Sequence, residues 1–193
     1  LESSVGFKQT ELLTLSPRLH SDGSALKQSR DKALIAFAQL GALRLNVKRG
    51  LVVLIDKIQL YVLAEATRTL SLVSDDQHEA GDELWFGNSS IPRGQGVSEY
   101  ALYPEPYCAQ EADGTSYTAP AFVVPDISQD ERFKSRGYAG TGISFYAGVP
   151  IVSKSGYAIG VYTISDNVPR AGLTARELHF MEDMASTVSD HLE

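Results

Sequence analysis

Between Gly142 and Arg170 the chain reads GISFYAGVPIVSKSGYAIGVYTISDNVPR, and no other stretch limits the fold so tightly. Residues 143–152 form an apolar run with one internal Gly-Val-Pro, and residues 157–165 form a second run rich in β-branched and aromatic side chains. Ser153-Lys154-Ser155-Gly156 between them suits a short turn, so the pair reads as a β-hairpin. In the second run both alternating faces are apolar: Ala158, Gly160, Tyr162 and Ile164 on one, Tyr157, Ile159, Val161 and Thr163 on the other. A strand of that kind must be covered on both sides, which makes it central in its sheet. Gly148 and Gly160 leave room on the sheet surface for close approach by a helix, another backbone or a ligand.

The remaining segments are read relative to this sheet. Residues 1–23 are expected to form an arm or linker helix, ending in a polar His20-Ser21-Asp22-Gly23 break, and residues 24–193 one domain. Over 24–46 the apolar positions Leu34, Phe37, Ala38, Gly41 and Leu45 fall at helical spacing, so an amphipathic helix is expected. GLVVLIDKIQLYVL at 50–63 changes period and reads as a hairpin turning near Asp56-Lys57. The acidic stretch 73–83 reads as a solvated loop, and Leu84-Trp85-Phe86-Gly87 returns toward the core. Residues 88–96 and 104–120 read as loops flanking a short helix at 97–102; connections of that length are more often functional than neutral. Phe122-Val123-Val124 is a short strand, Asp126 caps the turn after it, and residues 128–133 suit one or two helical turns. Thr174-Ala175-Arg176-Glu177 has the form of a capping box. The helix it opens carries Leu178, Met181, Ala185, Val188 and Leu192 at alternating spacings of three and four, a seam that suits a dimerising helix.

Charge and composition exclude several function classes. A net charge of −7 argues against a nucleic-acid partner, since that affinity comes mostly from Lys and Arg neutralising phosphates, and no basic cluster offsets it. Cys108 is the single cysteine, so neither an internal disulfide nor a multi-cysteine metal site can form, and a reducing, cytoplasmic setting is expected. Apolar runs fall well short of the ~20 residues that span a bilayer, so no membrane insertion is expected. The chain starts at Leu1 without a secretory signal and reads as a piece of a longer protein.

PAFVVPDISQDERF at 120–133, followed by ISFYAGVPIVSKSGYAIGVYTISDNVPRAGLTARE at 143–177, resembles the second half of a GAF domain, of the kind at the sensory end of hybrid histidine kinases, fungal ones included. The pieces that carry the likeness are Val124-Pro125-Asp126, Asp130-Glu131-Arg132-Phe133, Phe145 to Pro150, Gly160 and Pro169-Arg170. The resemblance implies an α+β fold: a central antiparallel sheet of five to six strands, helices from both chain ends on one face, and a pocket between the other face and the loops. It also implies a non-catalytic sensory or regulatory role, through a small-molecule ligand or through a homodimer of terminal helices that passes a change to a downstream kinase or output domain.

Individual residues refine this expectation. Trp85, Phe86, Tyr100, Tyr107, Phe122, Phe145 and Tyr162 suit the wall of a pocket for a small organic ligand, and equally a filled core. Asp126, Asp130 and Arg132 can act as a polar clamp at the pocket rim, or as a cap and ion pair fixing a turn. Cys108 is the remaining pocket candidate. Bilin-binding relatives pair their thioether cysteine with a neighbouring His, whereas Ala109 follows here, so covalent bilin is not expected and the ligand stays unidentified. His20, His78, His179 and His191 read as surface residues, and no metal set is found; His179 and His191 lie twelve positions apart, too far to share one ion. Two competing readings are a degenerate domain whose filled pocket leaves only dimerisation, and a small-molecule enzyme with Asp126 or Asp130 as general base. The latter lacks a nucleophile.

Overall fold

The computed structural model describes residues 26–135 and 142–193, so the expected arm at 1–23 lies outside the described residues. Helix α1 (Lys32–Arg44) leads into strands β1 (Arg49–Ile55) and β2 (Gln59–Thr67). A short β3 (Ser90–Pro92) and a 3-10 turn at Ser98–Ala101 follow, then β4 (Pro106–Gln110), β5 (Ser116–Pro120) and β6 (Phe122–Val124). The hairpin β7 (Phe145–Val152) and β8 (Ala158–Asp166) precedes helix α2 (Ala175–Leu192). Among the described residues six strands form one antiparallel sheet in the order β3-β2-β1-β8-β7-β6, and β4 pairs with β5 in a second, two-stranded one. The α+β architecture expected from the sequence is therefore present, with β8 inside the sheet between β1 and β7.

Each face of the sheet has its own core. On one face α1 and α2 cover Val52, Ala147, Val149, Ile151, Tyr162 and Ile164. On the other, Leu51, Val53, Val62, Tyr146 and Val161 meet the 3-10 turn and the loop after β6. Strand alternation accounts for the division: neighbours along β7 and β8 point to opposite layers. Gly148 lets the 3-10 turn seat closely, since a Cβ there would come within 2.8 Å of Ala101 Cβ.

Several boundaries differ from expectation for local reasons. Helix α1 begins at Lys32, because the Asp31 carboxylate accepts hydrogen bonds from the amides of Ala33 and Leu34 and so sets the N-cap. Residues 104–120, expected as loop, contain the β4–β5 hairpin, which packs Ala109 and Ala119 into the α2 layer. Pro106 begins one of its strands, a position where the missing amide does little harm. Residues 128–133 form turns and no helix; the Asp130 carbonyl accepts from both Phe133 and Lys134. The capping box of α2 is present, with Thr174 accepting from the Glu177 amide and Glu177 accepting from the Thr174 amide.

The apolar seam of α2 serves the domain itself. Leu178, Met181, Ala185 and Val188 are all buried against the sheet and the β4–β5 hairpin, so these four side chains are core. At the far end of α2, His191 Nε2 lies 2.8 Å from Asp31 Oδ2 and the imidazole meets the edge of Phe37, which ties the end of α2 to the start of α1.

The hydrogen bond with His191, followed by those from the Leu34 and Ala33 amides, holds the Asp31 carboxyl below its ordinary range against a weaker opposing effect of burial. A carboxylate with a depressed folded-state pKa contributes stability above its unfolded value, and that contribution fades as pH falls through the folded value. In urea titrations, Asp31→Asn retains a capping side chain without the charge. The stability gap between wild type and this variant is therefore expected to close between about pH 4 and pH 2. A gap that stays constant over that window contradicts the assignment.

Candidate functional site

A cavity of about 150 Å³ lies on the sheet face opposite the helices. Leu51 and Val53 of β1, with Leu60 and Val62 of β2, provide its aliphatic floor, and Tyr146 of β7 closes one side. Phe86, Ile91 and Val97 come from the segment between β2 and β4, and Ile127 and Ile143 from the connection between β6 and β7. Thr163 and Ser165, at the end of β8, add hydroxyl groups to a wall that is otherwise mostly hydrocarbon. The Tyr146 hydroxyl lies 3.1 Å from Ser98 Oγ and joins β7 to the 3-10 turn.

Next to the Ser165 end, the sheet face carries a buried ion pair. Arg49 on β1 and Glu65 on β2 are each 1% exposed, and Arg49 Nη1 is hydrogen-bonded to Glu65 Oε1. Arg49 sits opposite both Thr67 and Ser165, and Glu65 opposite Leu51, so both side chains belong to the cavity face. The Glu65 carboxylate also accepts from three successive amides, Trp85 at 2.8 Å, Phe86 at 2.7 Å and Gly87 at 2.6 Å. Arg49 Nη2 donates to the Glu83 carbonyl at 3.0 Å, and its guanidinium lies 4.3 Å from the centre of the Trp85 ring. A charge this deeply buried persists only when paired and hydrogen-bonded, and here the partners are the backbone of one segment, residues 83–87. The pair thus fixes Phe86 as cavity wall.

The same segment reaches the start of the N-terminal helix. Gly87 has φ +57°, and a Cβ there would come within 2.6 Å of the Lys27 carbonyl. That carbonyl accepts from the Asn88 amide at 2.8 Å, four residues before the Asp31 cap. The cavity wall and the approach to α1 therefore share a hydrogen bond.

The expected site residues separate into groups. Phe86 lines the cavity. Trp85 stacks on Arg49 beside it. Tyr100 and Phe122 belong to the same face, stacked with centroids 5.4 Å apart, as a packed cluster with Phe133. Phe145 and Tyr162 face the helices instead, each one position out of phase with the cavity residues Tyr146 and Thr163. Tyr162 donates to the Phe37 carbonyl at 2.7 Å, and burial pushes its phenol pKa upward. Tyr107 also packs on the helix layer, where its hydroxyl accepts from the Leu173 amide. Cys108 is exposed on the β4–β5 hairpin, away from the cavity lining.

The charged candidates hold turns. Asp126 accepts from the amide and hydroxyl of Ser128. Asp130 accepts from Arg132 Nε at 2.9 Å and Nη2 at 2.6 Å, and this bonding keeps its pKa low. The Arg132 guanidinium lies over Phe122 and Phe133. These contacts agree with a cap and an ion pair around a turn. Among the described residues no group of three or more His, Cys, Asp or Glu is placed to hold a metal. Sequence reasoning missed Arg49, Glu65, Thr163 and Ser165 as site residues. The available signal was Glu65, a lone carboxylate inside the apolar strand Leu-Tyr-Val-Leu-Ala-Glu-Ala.

A family model described as GAF domain matches residues 29–192. Among curated proteins none matches the sequence. Among solved structures, the GAF domain of Thermosynechococcus elongatus PixJ in its blue-light absorbing form is 16% identical; the match covers 84% of each chain with a TM-score of 0.54. The GAF domain of an Acinetobacter phosphoenolpyruvate-protein phosphotransferase is 14% identical, covering 84% of this chain and 82% of that one at a TM-score of 0.52. The chromophore-binding domain of a bacteriophytochrome from R. palustris is 14% identical, covering 85% of this chain and 56% of that one at 0.51. At these identities the likeness concerns the fold.

Breaking the buried pair from one side leaves an uncompensated charge. Arg49→Met is expected to cost about 3–5 kcal/mol in urea unfolding, and Arg49→Met combined with Glu65→Gln less than the sum of the two single changes. Additive losses in this double-mutant cycle exclude the coupling.

Proposed function

The chain belongs to the GAF domain family across residues 29–192, and from that premise we propose that it is a non-catalytic sensory domain of a multidomain cytoplasmic signalling protein. Its sequence likeness to the sensory end of hybrid histidine kinases suggests a kinase or similar output domain as the partner downstream. The observation that carries the reading is the cavity whose wall residue, Phe86, lies in a segment bonded both to the buried Arg49–Glu65 pair and to the approach to α1. An occupant that bears on this segment bears through it on the entry of α1, and only unequal binding to two arrangements of that entry can shift an output. The His191–Asp31 contact carries the bias to the end of α2.

Tyr146, the titratable side chain among the described cavity-lining residues, is bonded through its hydroxyl to Ser98. Asp126 and Asp130, the general-base candidates, are engaged by Ser128 and Arg132. A cavity of about 150 Å³ also favours ligand sensing over a pocket filled by side chains.

With most of the α2 seam in the core, the homodimer falls to the outer side of α1. Leu40 and Leu43, 45% and 53% exposed, lie one helical turn apart there. In sedimentation velocity the wild-type chain is expected to run as a dimer, and the Leu40→Glu/Leu43→Glu variant as a folded monomer. A wild-type chain that stays monomeric at high concentration removes the support for a dimer-mediated relay.

A further inference from the structure

We propose that the cavity takes a neutral, hydrocarbon-rich ligand the size of one substituted ring, with a single hydroxyl or carbonyl placed against Thr163 and Ser165. The inference rests on reading the cavity as the sensory site, and it follows from three properties of the wall.

The first is size. A dry apolar cavity of about 150 Å³ accommodates a molecule such as benzene, so this one has room for a single ring with small substituents. The second is charge. No Asp, Glu, His, Lys or Arg is among the described lining residues, and the neighbouring Arg49 and Glu65 are paired with one another and bonded to the 83–87 backbone. An ionised ligand would lose its hydration and gain no counter-charge. The third is the placement of unused polar groups. Thr163 is 1% exposed and Ser165 4%, both line the cavity, and neither hydroxyl has a hydrogen-bond partner among the described residues.

Two buried hydroxyls two residues apart on one strand face can donate to and accept from the same small polar group. Ser98 and Tyr146, the further hydroxyls of the wall, are bonded to each other, and Gln95 is exposed. The polar end of the ligand is therefore directed to the end of β8, and the ring to the aliphatic floor made by β1 and β2.

Titration calorimetry of the 193-residue chain with p-cresol, toluene and benzoate at neutral pH tests this assignment. The expected order is p-cresol, then toluene weaker by about tenfold, with no measurable benzoate binding. Thr163→Val and Ser165→Ala should each weaken p-cresol several-fold and leave toluene unchanged, and Val62→Phe, which fills the floor, should abolish both. Benzoate binding as well as p-cresol, p-cresol affinity untouched by both hydroxyl deletions, binding that survives Val62→Phe, or no binding of any of the three overturns the proposal. Amide exchange of residues 28–34, followed in the same titration, separates the two readings. Should p-cresol bind as described without altering that exchange, the ligand class stands and the relay from cavity to α1 falls.

Discussion

The buried pair of Arg49 and Glu65 is the interaction on which the cavity side of this domain depends. Taking both charges out of water is costly, and the cost is offset by their pairing and by the further hydrogen bonds that each makes nearby. Those partners are mostly one stretch of backbone, the carbonyl of Glu83 and the amides of Trp85, Phe86 and Gly87. An irregular segment that would otherwise have no regular ladder to satisfy it is thereby fixed to the sheet. Without that attachment, Phe86 would have no defined place and the cavity no defined wall.

The two faces of the sheet divide the remaining work. The helix face is filled: α1, α2 and the β4–β5 hairpin bury Phe145, Tyr162, Leu178 and Met181 together, and the Tyr162 hydroxyl is bonded to the α1 backbone. The opposite face is covered by short irregular pieces that leave space under them. Contacts between the two sides run through strands shared by both layers, and through the Asn88–Lys27 hydrogen bond at the sheet edge. A change on the cavity side therefore has a short covalent and hydrogen-bonded route to the point where α1 begins.

How legible this was in the sequence depends on the kind of signal. A strand apolar on both faces identified β8 as central, and the capping box at Thr174 fixed the start of α2, because both signals are local and follow from periodicity and backbone chemistry alone. The β4–β5 hairpin reads as loop because of Pro106 and Pro120 at its ends, although Asp113-Gly114 between two alternating runs is a turn signal. Which of two apolar faces meets a cavity is not local. Phe145 and Tyr162 suited pocket wall and filled core alike; each is one residue out of phase with the cavity, and that parity is decided by what packs above the sheet. The Arg49–Glu65 pair is hidden for the same reason, since its partners lie sixteen to thirty-six positions away.

The central claim is that residues 85–87 form a wall held as firmly as the sheet, and residue-resolved amide hydrogen exchange tests it most directly. Amides donated to a buried, paired carboxylate should open only with the strands that hold it. The account predicts that Trp85, Phe86 and Gly87 exchange as slowly as Val52 and Tyr162 in the sheet. Exchange as fast as that of an exposed turn amide such as Gly114 would contradict it.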